Sequence, residues 1–373
     1  MSQNNPLQII MLGPILTQQG GIANNQRLFL EYAPPDVQIY HIVTHDEGSI
    51  PHRIIVFGKA VVKLVWMLLQ RDIDLVHIRM SQGGSAFRQA ITTLLAWLFG
   101  KPIILHAHGG EFHLFYSNLP QWIQQILSWV FGKCRRLIVL SETWKSFYTK
   151  DLGLTSEQVV VLYNPVQLPS QVPNRSGSQK VNILFLGRIG PRKGAFDLIK
   201  AFAALPTTEQ NLTSLILAGD GEVEEAHSFI KSLHLTENIT VPGWVGQEER
   251  NELLAKADVF VLPSYNEGLS LAMLEAMGWG LPIIVTPVGG VSEVVTQGEN
   301  GLLVNPGDIE QLSEAMKSLI ENESLRLSLG AKARHRVTPF EINNYWVSFL
   351  DVYRSVLKSE TRNSLSTGVA QPK

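Results

Sequence analysis

Short apolar runs separated by longer amphipathic stretches recur along this chain. A first series occupies residues 7–12, 37–43, 75–78, 103–106 and 137–140, and its members are mostly aliphatic with little alternation. Unbroken apolar runs of this length predict strands of a parallel sheet covered on both faces, because strict alternation marks strands that keep one face in water. A second series follows at 181–186, 214–218, 239–241, 259–262, 282–286 and 301–304, spaced by helix-like segments such as 196–202 and 248–257. Residues 168–180 divide the two series, and their Pro, Ser, Asn and Gln resist regular structure. The pattern therefore predicts an α/β protein with two doubly wound, Rossmann-like domains. Their spans are 1–168 and 181–339, with 169–180 as linker, an amphipathic helix over 340–358 and a disordered tail over 359–373. Ligands of open parallel sheets sit beyond the carboxyl ends of the strands, so two such domains facing each other would enclose an interdomain cleft.

Composition changes the picture mainly by exclusion. With 373 residues, 45% of them hydrophobic and 17% charged, the chain is long enough for two cores. A formal net charge of -2 offers no general attraction to nucleic acid, so no nucleic-acid partner is expected and any anion site must be local. Cys134 is the single cysteine, which rules out an intrachain disulfide and a cysteine-based zinc cluster and fits a reducing, cytoplasmic setting. The polar start, residues 1–6, lacks the basic and apolar regions of a signal peptide. The apolar stretches at 90–98 and 126–131 fall well short of the roughly 20 residues that cross a bilayer. Residues 59–66 and 122–136 mix aromatic, aliphatic and basic side chains. They read either as helices packed on a sheet or as a surface for peripheral contact with the inner membrane face.

Two segments carry candidate chemistry. In Phe185-Leu-Gly-Arg-Ile-Gly-Pro-Arg-Lys-Gly a strand runs into a loop with three glycines, and Arg188 and Lys193 could neutralise an anion that approaches the backbone. Each charge-assisted contact is worth about 1.5–3 kcal/mol, enough for two to matter in holding a diphosphate. From Asp258 to Met277 a buried strand passes through a turn bearing Glu267 into a helix bearing Glu275. Carboxylates accept hydrogen bonds from sugar hydroxyls, and the backbone N–H groups of Leu269 and Ser270 open the helix toward an anion. The plainer alternatives are solvated loop cations, a Glu267 that caps the helix and a Glu275 paired with a neighbouring base.

Together these segments resemble family 4 glycosyltransferases of the GT-B fold, whose hallmark is a pair of glutamates separated by seven residues, here Glu267 and Glu275. Ala218-Gly-Asp-Gly, Val241-Pro-Gly-Trp and Thr286-Pro-Val-Gly-Gly-Val-Ser-Glu follow in the family's order. The resemblance implies that Arg188 and Lys193 hold the donor diphosphate, that Glu275 binds the ribose hydroxyls and that Glu267 contacts the transferred sugar. It also implies that Gly20 and Gly21 form the glycine loop near the donor phosphates and that His108 is the active-site histidine. His106, two positions back, is expected to be packed, and Glu111 receives no role. The implied activity is transfer of a sugar, with retention of configuration, from a nucleoside-diphosphate sugar to a saccharide or lipid-linked acceptor in glycoconjugate or polysaccharide synthesis. Helix 340–358 would pack back on the first domain. No cofactor or metal is expected, because Arg188 and Lys193 replace the divalent cation, and activity should survive a chelator.

Other classes remain as alternatives. A nucleotide-sugar 2-epimerase shares the architecture, and a non-catalytic nucleotide-sugar-binding regulator would keep the same residues. A dehydrogenase does not fit, since residues 13–21 lack the spaced glycine fingerprint. Neither the donor base, with uridine and guanosine as the main rivals, nor the acceptor is readable from these motifs. The acceptor pocket is expected among the loops near Gly20, at 81–85 and at 111–118.

Overall fold

The computed structural model describes residues 6–177 and 180–366. Two compact units divide it, one holding the chain up to Pro165 with the segment from Ile342 onward, the other Val166–Glu341.

The first unit runs β1 (Leu7–Pro14), α1 (Gly21–Glu31), β2 (Val37–His45), α2 (Ile50–Gln70), β3 (Leu75–Met80), α3 (Gly84–Leu98), β4 (Ile103–Ala107), α4 (Phe112–Ser117), α5 (Gln121–Phe131), β5 (Arg136–Val139), α6 (Glu142–Lys150) and β6 (Val159–Val161). Its strands form a parallel sheet in the order β2-β1-β3-β4-β5-β6, with Ile9 of β1 opposite both Ile39 and Leu75. Successive strand residues point to opposite faces, and both faces are covered. Ile10, Leu12, Val76 and Leu105 share a core with Leu64 of α2, Ala90 of α3, Phe131 of α5 and Tyr148 of α6. Ile9, Met11, Leu75 and Ile104 lie in a second core with Phe29 of α1 and with α15 (Ile342–Ser366), which returns to this unit from the far end of the chain. Phe29 and Trp346 stack at 4.0 Å, and the Trp346 indole donates to the Phe29 carbonyl at 3.2 Å. Burying side chains of this size stabilises by about 1.5–3 kcal/mol each, which is what draws the helix onto the sheet.

The second unit runs β7 (Val181–Leu186), α7 (Ala195–Ala203), α8 (Thr207–Asn211), β8 (Thr213–Ala218), α9 (Val223–Ser232), β9 (Ile239–Gly243), α10 (Gln247–Lys256), β10 (Val259–Leu262), α11 (Leu271–Gly278), β11 (Ile283–Val285), α12 (Val291–Val294), β12 (Leu302–Leu303), α13 (Ile309–Glu321) and α14 (Glu323–Val337). Its parallel sheet has the order β12-β11-β10-β7-β8-β9. Each sheet starts from its first strand, builds to one side, then crosses to the other. The order therefore reverses between β1 and β3 in one unit and between β7 and β10 in the other, the places where doubly wound sheets bind ligands.

The structure departs from the sequence pattern at several boundaries. Residues 169–180 form no regular element among those described, yet they belong to the second unit rather than to a free linker. There Arg175 donates to the carbonyls of Ala257 at 2.7 Å, Trp279 at 3.0 Å and Leu254 at 3.1 Å. The division falls at 165/166 instead of 168/169, because the Val166 N–H bonds the Phe340 carbonyl at 2.9 Å and ties the outgoing chain to the returning one. The three-residue β6 escaped notice through its brevity, although its run of valines suits a strand. Residues 359–366, expected in a disordered tail, continue α15, since neither Gly nor Pro interrupts them before Gly368. The rest of that tail, 367–373, lies outside the described residues, as do 1–5 of the polar start.

Candidate functional site

The loops that follow β7 and β10 flank the reversal point of the second sheet, and an ion pair joins them. Lys193 Nζ lies 2.5 Å from Glu267 Oε1, with 15% and 8% of their side chains exposed. The Ser264 hydroxyl donates to the same oxygen at 2.8 Å, so the carboxylate is held from two directions. The backbone repeats the connection, with Tyr265 N–H donating to the Arg192 carbonyl at 2.8 Å and an Arg192 guanidinium N–H to the Asn266 carbonyl at 3.2 Å. Glycine makes this closeness possible. Gly194 has φ +69°, and a Cβ there would lie 2.1 Å from the Pro263 carbonyl oxygen. A Cβ on Gly289, at φ +56°, would lie 2.0 Å from that of Glu267. The result is a compact platform of loop backbone at the carboxyl ends of the strands, with a half-buried ammonium at its centre.

Arg188 stands on the same β7 loop, and its side chain is 65% exposed. It pairs at 2.8 Å with Asp220, which lies in the Gly-Asp-Gly turn after β8. Asp220 was findable in principle, because β8 neighbours β7 in any sheet of this winding. Glu275 does not join Glu267. It sits on α11 and pairs with Arg250 of α10 at 3.3 Å, while its other oxygen, Oε2, is buried without a partner. Burial raises the Glu275 carboxyl above its ordinary value, against the opposing pull of Arg250. Ser270 is the N-cap of α11, its hydroxyl accepting from Met273 N–H at 3.3 Å, and Leu269 precedes it in a buried position. The capping task thus falls to Ser270 and leaves Glu267 to the lysine.

In the first unit, Gly20 caps α1 and Gly21 opens it, with no side-chain hydrogen bond at the helix start. His108 follows β4. Its Nε2 lies 3.4 Å from an Arg79 guanidinium nitrogen, which can only donate, so the ring accepts there and carries its proton on Nδ1. Burial first, and the Arg79 charge second, hold His108 well below the ordinary histidine range, leaving it neutral at pH 7. His106 is fully buried, packed 4.0 Å from the His108 ring and 5.6 Å from that of His77. Arg79 itself was missed by sequence reasoning. It sits in a strand whose remaining side chains are apolar or aromatic, and only its tertiary neighbours, among them Asn25 Oδ1 at 2.5 Å, distinguish it. Glu111 N-caps α4 without a side-chain capping bond. Among the described residues no group of three or more His, Cys, Asp or Glu is arranged to hold a metal ion.

Comparison with known proteins places both halves. The family model described as group 1 glycosyl transferases matches residues 170–336, and that of Glycosyltransferase Family 4 matches residues 22–168. The capsular polysaccharide biosynthesis glycosyltransferase CapM of Staphylococcus aureus is 31% identical over 285 residues, covering 72% of this chain and 74% of that protein. An Escherichia coli UDP-Gal:alpha-D-GlcNAc-diphosphoundecaprenol alpha-1,3-galactosyltransferase is 29% identical over 287 residues, 72% of each chain. Among solved structures, Anabaena HepE in complex with UDP-glucose superposes at a TM-score of 0.76 and 19% identity, covering 94% of this chain and 100% of that one. Sucrose-phosphate synthase from Thermosynechococcus elongatus reaches 0.79 at 18% identity, covering 95% and 100%. Those two likenesses establish the GT-B fold, and with the sequence relatives they show that this chain is a glycosyltransferase belonging to family 4.

Proposed function

We propose that the protein transfers a sugar, with retention of configuration, from a nucleoside-diphosphate sugar to a saccharide or lipid-linked acceptor in cell-surface polysaccharide or glycoconjugate synthesis. The observation that carries this reading is the Lys193–Glu267 pair bridging the two loops at the reversal point of the second sheet, with Arg188 beside it. Lys193 has three donors and uses one on Glu267, which leaves an oriented ammonium for a diphosphate oxygen. Arg188, paired to Asp220 at an exposed position, can offer its remaining N–H groups to the same ligand. Glu267 meets the sugar and Glu275 the ribose, while Leu269 and Ser270 present the start of α11. Gly20 and Gly21 approach the donor phosphates, and neutral His108 offers its Nδ1–H to the sugar. Stabilisation of the departing diphosphate by fixed cations is the main catalytic device, and retention follows from attack on the face that the nucleotide leaves. No metal is required, so activity should persist in chelator. The Escherichia coli relative, which uses UDP-Gal and a GlcNAc-diphosphoundecaprenol acceptor, and the UDP-glucose complex of HepE support uridine as the donor base and a lipid diphosphate as one class of acceptor carrier.

Peripheral contact of the first unit with the inner membrane face belongs to the same proposal. No helix among the described residues is long and apolar enough to cross a membrane. Yet α2 exposes Ile54, Val62, Trp66 and Leu69 beside Lys59 and Lys63, and α5 exposes Trp122, Ile126 and Trp129.

Thermal denaturation with a panel of nucleoside diphosphates and their sugars tests the donor site. A ligand at a hundredfold excess over its dissociation constant should add about 2.7 kcal/mol. Stabilisation by one base, lost in Arg188→Ala and Glu275→Ala, is expected. A panel without any response would remove the reading.

A further inference from the structure

We infer that Arg79 is a positioning residue for sugar transfer, one that holds the His108 ring in a single tautomer and leaves its Nδ1–H to the donor sugar. The inference deepens the proposed function and rests on its placing of His108 at that sugar. Arg79 on β3 lies opposite His106 on β4 in the parallel register. Side chains two apart along a strand share a face, so His77 and Arg79 project together with His106 and His108. Phe29 of α1 and Tyr353 of α15 cover that face, with Phe29 5.8 Å from the His77 ring and the Tyr353 hydroxyl 3.0 Å from His77 Nδ1. Both ring nitrogens of His106 are buried without a partner, whereas His108 is only half-buried, so of the two rings it is His108 that a ligand can reach.

Arg79 is a costly residue to keep at this place. It is 2% exposed, it forms no ion pair among the described residues, and its Nε and Nη2 are buried without partners. Burial lowers it to about 10, so it stays charged at pH 7. Lodging a cation without a carboxylate destabilises the fold, and its place 5.1 Å from the centre of the Phe29 ring offsets only part of that. The contacts it does make run through Nη1, at 2.5 Å to Asn25 Oδ1 and 3.4 Å to His108 Nε2. Asn25 is 1% exposed and is fixed in turn, its Nδ2 donating to Asn164 Oδ1 at 3.1 Å. The guanidinium is thereby clamped against the imidazole by α1 and by the last residues before the chain leaves the first unit.

Arginine suits this task. It has no lone pair to offer, so the ring nitrogen that faces it must be unprotonated, and its charge opposes formation of an imidazolium. Burial and Arg79 together hold the ring neutral. The backbone adds to the fixation, since the His108 N–H donates to the Met80 carbonyl at 2.9 Å. His108 then neither takes nor gives a proton during transfer. It donates one hydrogen bond from Nδ1 to a sugar hydroxyl, and the opposite tautomer would present a lone pair at the same point.

Nitrogen NMR of the full chain labelled at its histidine rings tests this, with the His108 signals assigned by their loss in His108→Asn. At pH 7 the unaltered protein should show His108 neutral and protonated on Nδ1. A ring protonated on Nε2, or on both nitrogens, overturns the inference without recourse to any variant of Arg79. Arg79→Met removes the charge and the donors, and His108 should then populate both tautomers; Arg79→Lys should recover the Nδ1–H form. Asn25→Ala, which releases the guanidinium, should mix the tautomers to a smaller degree. Loss of a cation buried without a carboxylate should leave the melting temperature of Arg79→Met unchanged or higher. With UDP-glucose as probe, UDP release by Arg79→Met should fall in kcat at least about tenfold while KM stays within about twofold. An unchanged tautomer in both Arg79→Met and Asn25→Ala makes Arg79 a structural residue and overturns the inference, and so does a changed tautomer with unchanged kcat. Failure of UDP-glucose to bind the unaltered protein counts against the donor reading instead, while the spectra still decide whether Arg79 sets the ring.

Discussion

Lys193 and Glu267 combine opposite charges, little solvent and a 2.5 Å contact, so removing either strands the other. Breaking such a pair costs about 3–5 kcal/mol, because the remaining charge stays buried without compensation. Glu267→Ala should therefore lower stability by about that amount, measured by urea unfolding. Lys256→Ala, which breaks an exposed pair with Glu252 on α10, should leave the midpoint nearly unmoved. In kinetics Lys193→Ala should reduce kcat/KM by roughly 10²–10³, the cost of losing one preorganised charge at the leaving group. A variant that lost stability but kept kcat/KM would make the pair a structural clamp.

At the scale of elements, the helices over one face of the first sheet do two jobs with two sides. Ala60, Leu64, Met67 and Leu68 of α2 recur at helical spacing and face the core, whereas Ile54, Val62, Trp66 and Leu69 face outward. α3 and α5 continue the outward side through Trp97 and Trp129, whose rings are 6.0 Å apart with the Lys133 ammonium 4.9 Å and 4.3 Å from their centres. Aromatic rings interleaved with lysines suit the boundary of an anionic bilayer. Flotation with vesicles rich in anionic lipid should recover the protein at low salt, less of it at high salt, and little after Trp66→Ser/Trp122→Ser. Equal flotation of the double variant would take α2 and α5 out of the contact.

For the molecule as a whole, acid sensitivity follows from histidines held neutral in the first unit. Burial, as the leading cause, lowers His41 to about 4 and pushes His77, His106 and His108 well below the ordinary value of 6.5. Below pH 6.5 the unfolded chain binds protons that the folded one excludes. The stability associated with these residues is thus complete above about pH 6.5 and is lost as the pH falls toward the folded-state values. Glu275 acts in the opposite sense, since its raised carboxyl favours the folded state at low pH and ceases to do so as the pH rises through its folded value. With His45 also lowered by burial, five histidines against the one raised carboxylate set the net direction. Each contributes up to about 1.4 kcal/mol per pH unit, so the melting temperature should fall steeply between pH 6.5 and pH 4.5. A slope equivalent to less than one proton would contradict the burial of these rings.

The α/β class, the two-fold repetition of the strand pattern, the glycine-basic loop and the glutamate spacing were all legible in the chain, because each is a local matter of periodicity or spacing along a strand, turn or helix. The strand order, the partner of each charge and the true division of the chain required the tertiary structure. Glu267 and Glu275 look like a pair in sequence, yet in space one belongs to Lys193 and the other to Arg250, since a helix start and a neighbouring helix turn them to different partners. Arg175 reads as part of a linker until its contacts with the Leu254, Ala257 and Trp279 carbonyls are seen, whereas the return of α15 to the first unit is implied by the resemblance and only its aromatic contacts with Phe29 and the first sheet needed the structure. Arg79 shows the limit most clearly, for nothing in a strand reveals that its one cation stands behind the ring of His108, held there by Asn25. Local chemistry is written in neighbouring residues, whereas an electrostatic site is a sum over residues that only folding brings together.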